Sequence, residues 1–224
     1  MLNKVDRKIY AFWTGENPMS EQRYYCLATM RKNWEVPVEL ITCRDIPNYL
    51  INGEPLHPAF KYLSCNHKSD YLRCYWMHFY GGGYADIKQA VKIQNWSLCF
   101  SIINAHPEIE IVGMPEVKGG AARKAWDTWE TSYKLLANGW FICRPQTEFT
   151  RIWYARLLSR MDNYAEALRQ NPATNPFGGS GYPVPWYGLM GDLFHELIVD
   201  CREQRPNAIC SGLMPGVKLR APYR

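Results

Sequence analysis

The sequence predicts an α/β fold, with a mixed, mainly parallel β-sheet and helices on both faces. Three observations carry that expectation. Short apolar runs of strand length alternate with longer stretches of helical periodicity along the chain. A glycine triplet, Gly81-Gly82-Gly83, separates one such helical stretch from the short apolar run after it. The 224 residues suffice for one α/β domain with a real core, or for one domain and a small appendage.

Taken in order, residues 8–13 read as a buried first strand and 14–18 as a turn. Ser20 is placed to N-cap a helix running to about Lys32, and residues 38–42 read as the second strand. Residues 45–57, with Pro47, Pro55 and the following Pro58, read as loop or short helix. Residues 59–80 contain a long helix with Leu72, Trp76 and Phe79 on one face. After the glycine turn, residues 84–87 form a short strand that delivers Asp86 to its end. A helix over 96–105, a strand over 109–114 and a Gly- and Ala-rich connection over 119–125 follow. Residues 138–143 read as a strand stopped by Pro145, and Thr147 caps a helix to about Arg160. Residues 171–185 are irregular, 188–201 form a last helix, and the tail after Arg205 reads as loop.

Composition narrows the function classes. Aromatic residues make up 14% of the chain, with nine Trp and fifteen Tyr, which suits either a tightly packed core or a cleft that stacks on sugars and bases. A net charge of +5 suits an anionic ligand. No run of Lys and Arg exceeds two, which argues against a dedicated nucleic-acid or polybasic segment and leaves room only for peripheral contact with a membrane. The eight cysteines contain no Cys-x-x-Cys pair. The polar N-terminus and the absence of an 18-residue apolar window lead to the expectation of a cytoplasmic protein with free thiols. Dinucleotide-binding, Walker-type and nucleophile-elbow motifs are missing.

The residues that could carry chemistry converge on one edge. In an open α/β sheet, ligands sit at the carboxyl ends of the strands, so Trp13, Thr14 and Gly15 should share a crevice with the Asp86 turn. A carboxylate behind a glycine turn, as Asp86 is, can hold a diphosphate or its metal. Lys88 lies on the same side as Asp86 if the strand continues, and a Lys can act as a point charge on phosphate. Asp70 and Arg73, three apart on the long helix, share a face. Asp192 and His195 are likewise three apart on the last helix, where they could pair.

The string Ser69-Asp70, Arg73, Tyr80-Gly81-Gly82-Gly83-Tyr84-Ala85-Asp86-Ile87-Lys88 resembles the sugar-nucleotide segment of glycosyltransferases related to family 32 and to the capsular polysaccharide synthesis proteins. Phe12-Trp13-Thr14-Gly15 resembles their opening strand. Motifs of this kind cover residues 8–96. The resemblance implies a GT-A-like, Rossmann-type single domain over 1–224, with a nucleotide-sugar half to about 115 and an acceptor-side half from about 116. It implies sugar transfer from a UDP-linked donor to a glycan hydroxyl with retention. Trp13, Thr14, Gly15, Asp70, Arg73, Gly83, Tyr84 and Lys88 would be donor contacts, and Asp86 and Asp192 catalytic. A divalent cation, Mn or Mg, would be held by Asp86 and His195. One departure stands out: Lys88 occupies the position of the second Asp of the family's Asp-x-Asp pair. Either Asp86 binds metal with a distant ligand, or Lys88 offsets the diphosphate charge itself. The chain could also be a catalytically weak nucleotide-sugar or glycan-binding protein, or a nucleotide-binding adaptor.

Overall fold

A computed structural model describes residues 4–88 and 95–211. Six strands form one sheet: β1 (Ile9–Trp13), β2 (Val38–Thr42), β3 (Gly82–Ala85), β4 (Ile111–Pro115), β5 (Leu136–Cys143) and β6 (Ile209–Ser211). Their order is β2-β1-β3-β5-β4-β6. The β1–β2, β1–β3 and β4–β6 pairs are parallel, and β5 runs antiparallel to both its neighbours. Five helices cover the sheet: α1 (Glu21–Asn33), α2 (Cys65–Phe79), α3 (Trp96–Ala105), α4 (Glu148–Gln170) and α5 (Gly191–Gln204). The α/β class and the mainly parallel sheet are as the sequence predicts.

Strand alternation divides the interior into two cores. Tyr10, Phe12, Tyr84, Ile111 and Phe141 point to the face packed by α2, α4 and α5. Ile9, Ala11, Ala85, Val112 and Trp140 point to the face packed by α1 and α3. The chain leaves β1 toward β2 by way of α1 on one face, then returns past β1 to β3 by way of α2 on the other. That makes the gap beyond the carboxyl ends of β1 and β3 a topological switch point, where open α/β sheets bind ligands.

Local chemistry sets the element ends. Ser20 and Ser64 accept from the amides of Arg23 and His67, and Thr147 forms a capping box with Thr150. At the end of α2, the Gly81 amide donates to the Trp76 carbonyl and the chain turns through positive φ at Gly81 (65°) and Gly82 (88°). A Cβ on Gly81 would stand 2.4 Å from Pro145.

The structure differs from the sequence expectation at several places; β4 begins and ends later than expected and β5 begins two residues earlier. Helix α4 continues to Gln170, ten residues past Arg160, because Trp153, Leu157, Met161 and Leu168 sustain its buried face. Helix α5 starts at Gly191, since residues 186–190 form turns. Strand β3 starts at Gly82 and ends at Ala85, so Asp86 lies just beyond it. Strand β6 falls in the tail expected to be loop; three residues are too few to show a period. All eight cysteines are free thiols, and no described helix is long and apolar enough to cross a membrane.

Candidate functional site

Four charged side chains form a chain across the carboxyl edge of β3. Arg73, on the buried face of α2, places Nη2 3.0 Å from Asp70 Oδ1 and 3.6 Å from Asp86 Oδ1. Lys88 Nζ stands 2.6 Å from Asp86 Oδ2. The Tyr84 hydroxyl donates to Asp86 Oδ1 at 2.5 Å, and the Arg73 guanidinium lies 4.3 Å from the centre of the Tyr84 ring. Arg73 Nη1 also donates to the Asn138 carbonyl at 2.8 Å, and the Asp86 amide donates to the Gly139 carbonyl at 3.0 Å. The start of β5 therefore fixes the turn that carries Asp86.

Gly139 leaves room for this pair. A Cβ there would stand 2.9 Å from Asp86 Oδ2 and 3.9 Å from Lys88 Nζ. Gly83 is a spacer of another kind, because a Cβ would press on Ile9 and Trp96 at 3.0 and 3.1 Å. Its contacts are with the core, as are those of Tyr84, which is 2% exposed and packed on Phe12 and Phe141. Both residues support the site from below.

The two carboxyls titrate in opposite directions. Burial works to raise Asp86, but the charges of Lys88 and Arg73 and the hydrogen bonds from Lys88 and Tyr84 bring it down to about 2. Burial raises Asp70, with Arg73 and His67 only partly opposing it. The buried Tyr84 hydroxyl is pushed well above its ordinary value, so it stays a donor.

The first strand brings its predicted residues to the same edge. The Thr14 hydroxyl donates to the Cys65 carbonyl at 2.6 Å, tying the end of β1 to the start of α2. Trp13 Nε1 donates to the Asn17 carbonyl at 3.0 Å, and Gly15 keeps clear of the Asn17 side chain, which a Cβ would meet at 2.3 Å. Above them, Asn66, Ser64 and His67 bond to the loop after α4 through Pro176, Tyr182 and Pro185, so residues 171–185 cover the start of α2.

The second predicted cluster is not a pair. His195 is fully buried; its Nδ1 accepts from the Ala122 amide at 3.3 Å and its Nε2 donates to the Leu136 carbonyl at 3.2 Å. Burial lowers it to about 4, so the ring is neutral with both nitrogens committed to backbone. In this arrangement neither ring nitrogen of His195 is turned toward Asp86, the other residue expected to hold a cation. Asp192 lies half-buried in the first turn of α5 and forms no hydrogen bond with His195. The helix turns the two side chains to different surroundings, and tertiary packing claims the imidazole.

Glu116 is the residue the sequence reading passed over. It follows β4, whose carboxyl end lies on the same edge as that of β3. Its Oε1 accepts from the Val117 amide at 2.8 Å, and Oε2 stands 3.8 Å from His195 Nε2. Burial raises its carboxyl, while the Val117 bond and the Lys88 charge pull the other way. The signal was present, since the rule that singles out Asp86 applies equally to an acid just past the strand over 109–114.

The surroundings of Asp86 bear on whether a divalent cation could sit there. Every Asp, Glu, His and Cys of the chain lies among the described residues, and no three of them come together as a metal-binding group. Asp86 has Tyr84 and Arg73 on one oxygen and Lys88 on the other.

No protein-family profile matches the chain, and comparison with curated proteins found no match. Among solved structures the chain is similar to one named PaToxG Glycosyltransferase, at 14% identity and a TM-score of 0.49, over 90% of this chain and 70% of that one.

Proposed function

We propose that the chain is a glycosyltransferase that takes a sugar from a nucleotide-diphosphate donor, UDP-linked, and passes it to a hydroxyl of a glycan. The observation that carries this reading is the Asp70–Arg73–Asp86–Lys88 chain at the carboxyl edge beside the switch point. The motif resemblance and this placement agree on the same residues. In the transfer, the bond between the anomeric carbon and the outer phosphate oxygen breaks with its electron pair going to the phosphate. The acceptor oxygen bonds to that carbon on the face the phosphate leaves, so that configuration is retained, and the acceptor proton goes to the departing phosphate. The contribution asked of the protein is positioning and charge. Lys88 meets the diphosphate, Asp86 holds Lys88 in place with Arg73 bracing Asp86, and Trp13, Thr14 and Gly15 border the nucleoside. Asp192 is assigned to the acceptor side, where its carboxylate could orient a hydroxyl.

The test is release of free nucleotide from a panel of nucleotide sugars, with and without oligosaccharide acceptors, by the parent and by Asp86→Asn. Turnover in the parent and none in a folded Asp86→Asn variant is the expected result. Binding of UDP without turnover would favour a nucleotide-sugar-binding protein instead. Failure of every nucleoside diphosphate to shift the melting temperature would remove the reading altogether.

A further inference from the structure

Resting on that diphosphate reading, we propose that Lys88 is the resident cation of the site and that a nucleoside diphosphate binds here without a divalent metal. Lys88 stands two residues after Asp86, with its ammonium 2.6 Å from Asp86 Oδ2. A metal at Asp86 would have to displace that ammonium from one oxygen or the Tyr84 hydroxyl from the other. No second carboxylate joins Asp86 to repay the exchange: Asp70 is paired with Arg73, and Glu116 is bound to the Val117 amide. Every Asp, Glu, His and Cys of the chain lies among the described residues.

The same geometry says which cation a phosphate reaches. The Arg73 side chain is 8% exposed and lies over the Tyr84 ring, whereas the Lys88 side chain is 21% exposed. An ammonium carries three donors and can bridge a carboxylate and a phosphate oxygen at once. Asp86 then serves to orient Lys88. Gly139, with no side chain, makes room for the Asp86 carboxylate that holds Lys88. The ammonium provides a single positive charge near the leaving oxygen, the task a metal performs in a carboxylate-rich site.

The experiment titrates UDP and UMP into the full chain by calorimetry, first after exhaustive chelation and then with added manganese. The parent, Lys88→Ala, Lys88→Arg and Lys88→Asp are compared, with near-ultraviolet dichroism to establish that each is folded. The parent should bind UDP within about twofold in chelator and in manganese. Lys88→Ala should lose about tenfold to a hundredfold toward UDP, the range of a charge-assisted hydrogen bond, with UMP nearly unchanged. Lys88→Arg should keep most of the affinity, and Lys88→Asp should bind UDP better with manganese than without. A parent that binds UDP only with manganese overturns the inference and leaves the proposed function standing. So does an equal loss of UDP and UMP in Lys88→Ala, which would put Lys88 on the nucleoside or the fold. A parent that binds UDP under neither condition strikes at the proposed function itself.

Discussion

Replacing Tyr84 with Phe removes one oxygen from the site and little else. The ring keeps its neighbours Phe12 and Phe141, at 5.8 and 5.5 Å, and its place under Arg73. What disappears is the donor 2.5 Å from Asp86 Oδ1. A hydrogen bond to a charged group contributes about 1.5–3 kcal/mol. Asp86, held at about 2 against an ordinary 3.8, gives a second gauge of the same order. At about 1.36 kcal/mol per pH unit, its ionised form is about 2 kcal/mol more favourable in the folded state, the net of the Lys88, Arg73 and Tyr84 contacts against burial. The variant should therefore lose about 1–2 kcal/mol at pH 7. With a urea dependence of about 3 kcal/mol per molar, its midpoint falls by about 0.3–0.7 M. The sign in pH follows from a depressed carboxyl: the stability is complete above the unfolded value of 3.8 and is lost as pH falls through about 2. Parent and variant should differ fully at pH 7, and by about half as much near pH 2.5. Urea titrations at pH 7, 4 and 2.5 measure this. A loss of the same size at every pH would mean that the hydroxyl acts through packing, and no loss at pH 7 would refute the bond to Asp86.

Asp70→Asn should leave stability within about 1 kcal/mol of the parent at pH 7, because burial already disfavours the Asp70 charge against the pull of Arg73. A loss above about 2 kcal/mol in chemical denaturation would show that the ion pair dominates. His195, lowered by burial from 6.5 to about 4, should make the fold lose up to about 3 kcal/mol as pH falls from 6.5 toward 4, because the unfolded chain takes up the proton first. His195→Gln should flatten that part of the stability–pH curve, and an unchanged slope would assign the acid sensitivity elsewhere. Gly139→Ala should cost about 1–3 kcal/mol by thermal melting, since its Cβ meets Asp86 Oδ2 at 2.9 Å. A neutral result would show that the Asp86–Lys88 pair yields without penalty.

Much of the fold was legible because its signals are local. Ser20 and Thr147 cap as their residue types suggest, and the glycines at 81–83 end α2 where a left-handed turn is needed. The misreadings occur where distant packing decides. The helical spacing of Leu157, Met161 and Leu168 runs on past residue 160, and it takes their shared buried face in the core to show that α4 continues there. Strand β5 reads as any apolar run, and only its partners make it antiparallel between β3 and β4.

The candidate site divides in the same way. The Asp86 turn could be read because helix, glycines and strand are contiguous, so the chain alone brings Asp70, Arg73 and Asp86 together. The roles within it could not. Tyr84 and Gly83 sit in the motif but face the core, a consequence of the alternation that sends Tyr84 to Phe12 and of the close approach of Ile9 and Trp96 to Gly83. Asp192 and His195 show the limit of helical spacing, which makes a pairing available without deciding it. The imidazole instead satisfies an amide of the 119–125 connection and a carbonyl of β5. Glu116 escaped notice because no glycine turn announces it, yet the sheet places it by the rule that places Asp86. Three parallel strands ending on one edge carry Thr14, Asp86 and Glu116 just past their last residues. The strand order, more than any motif, is what makes that edge the site.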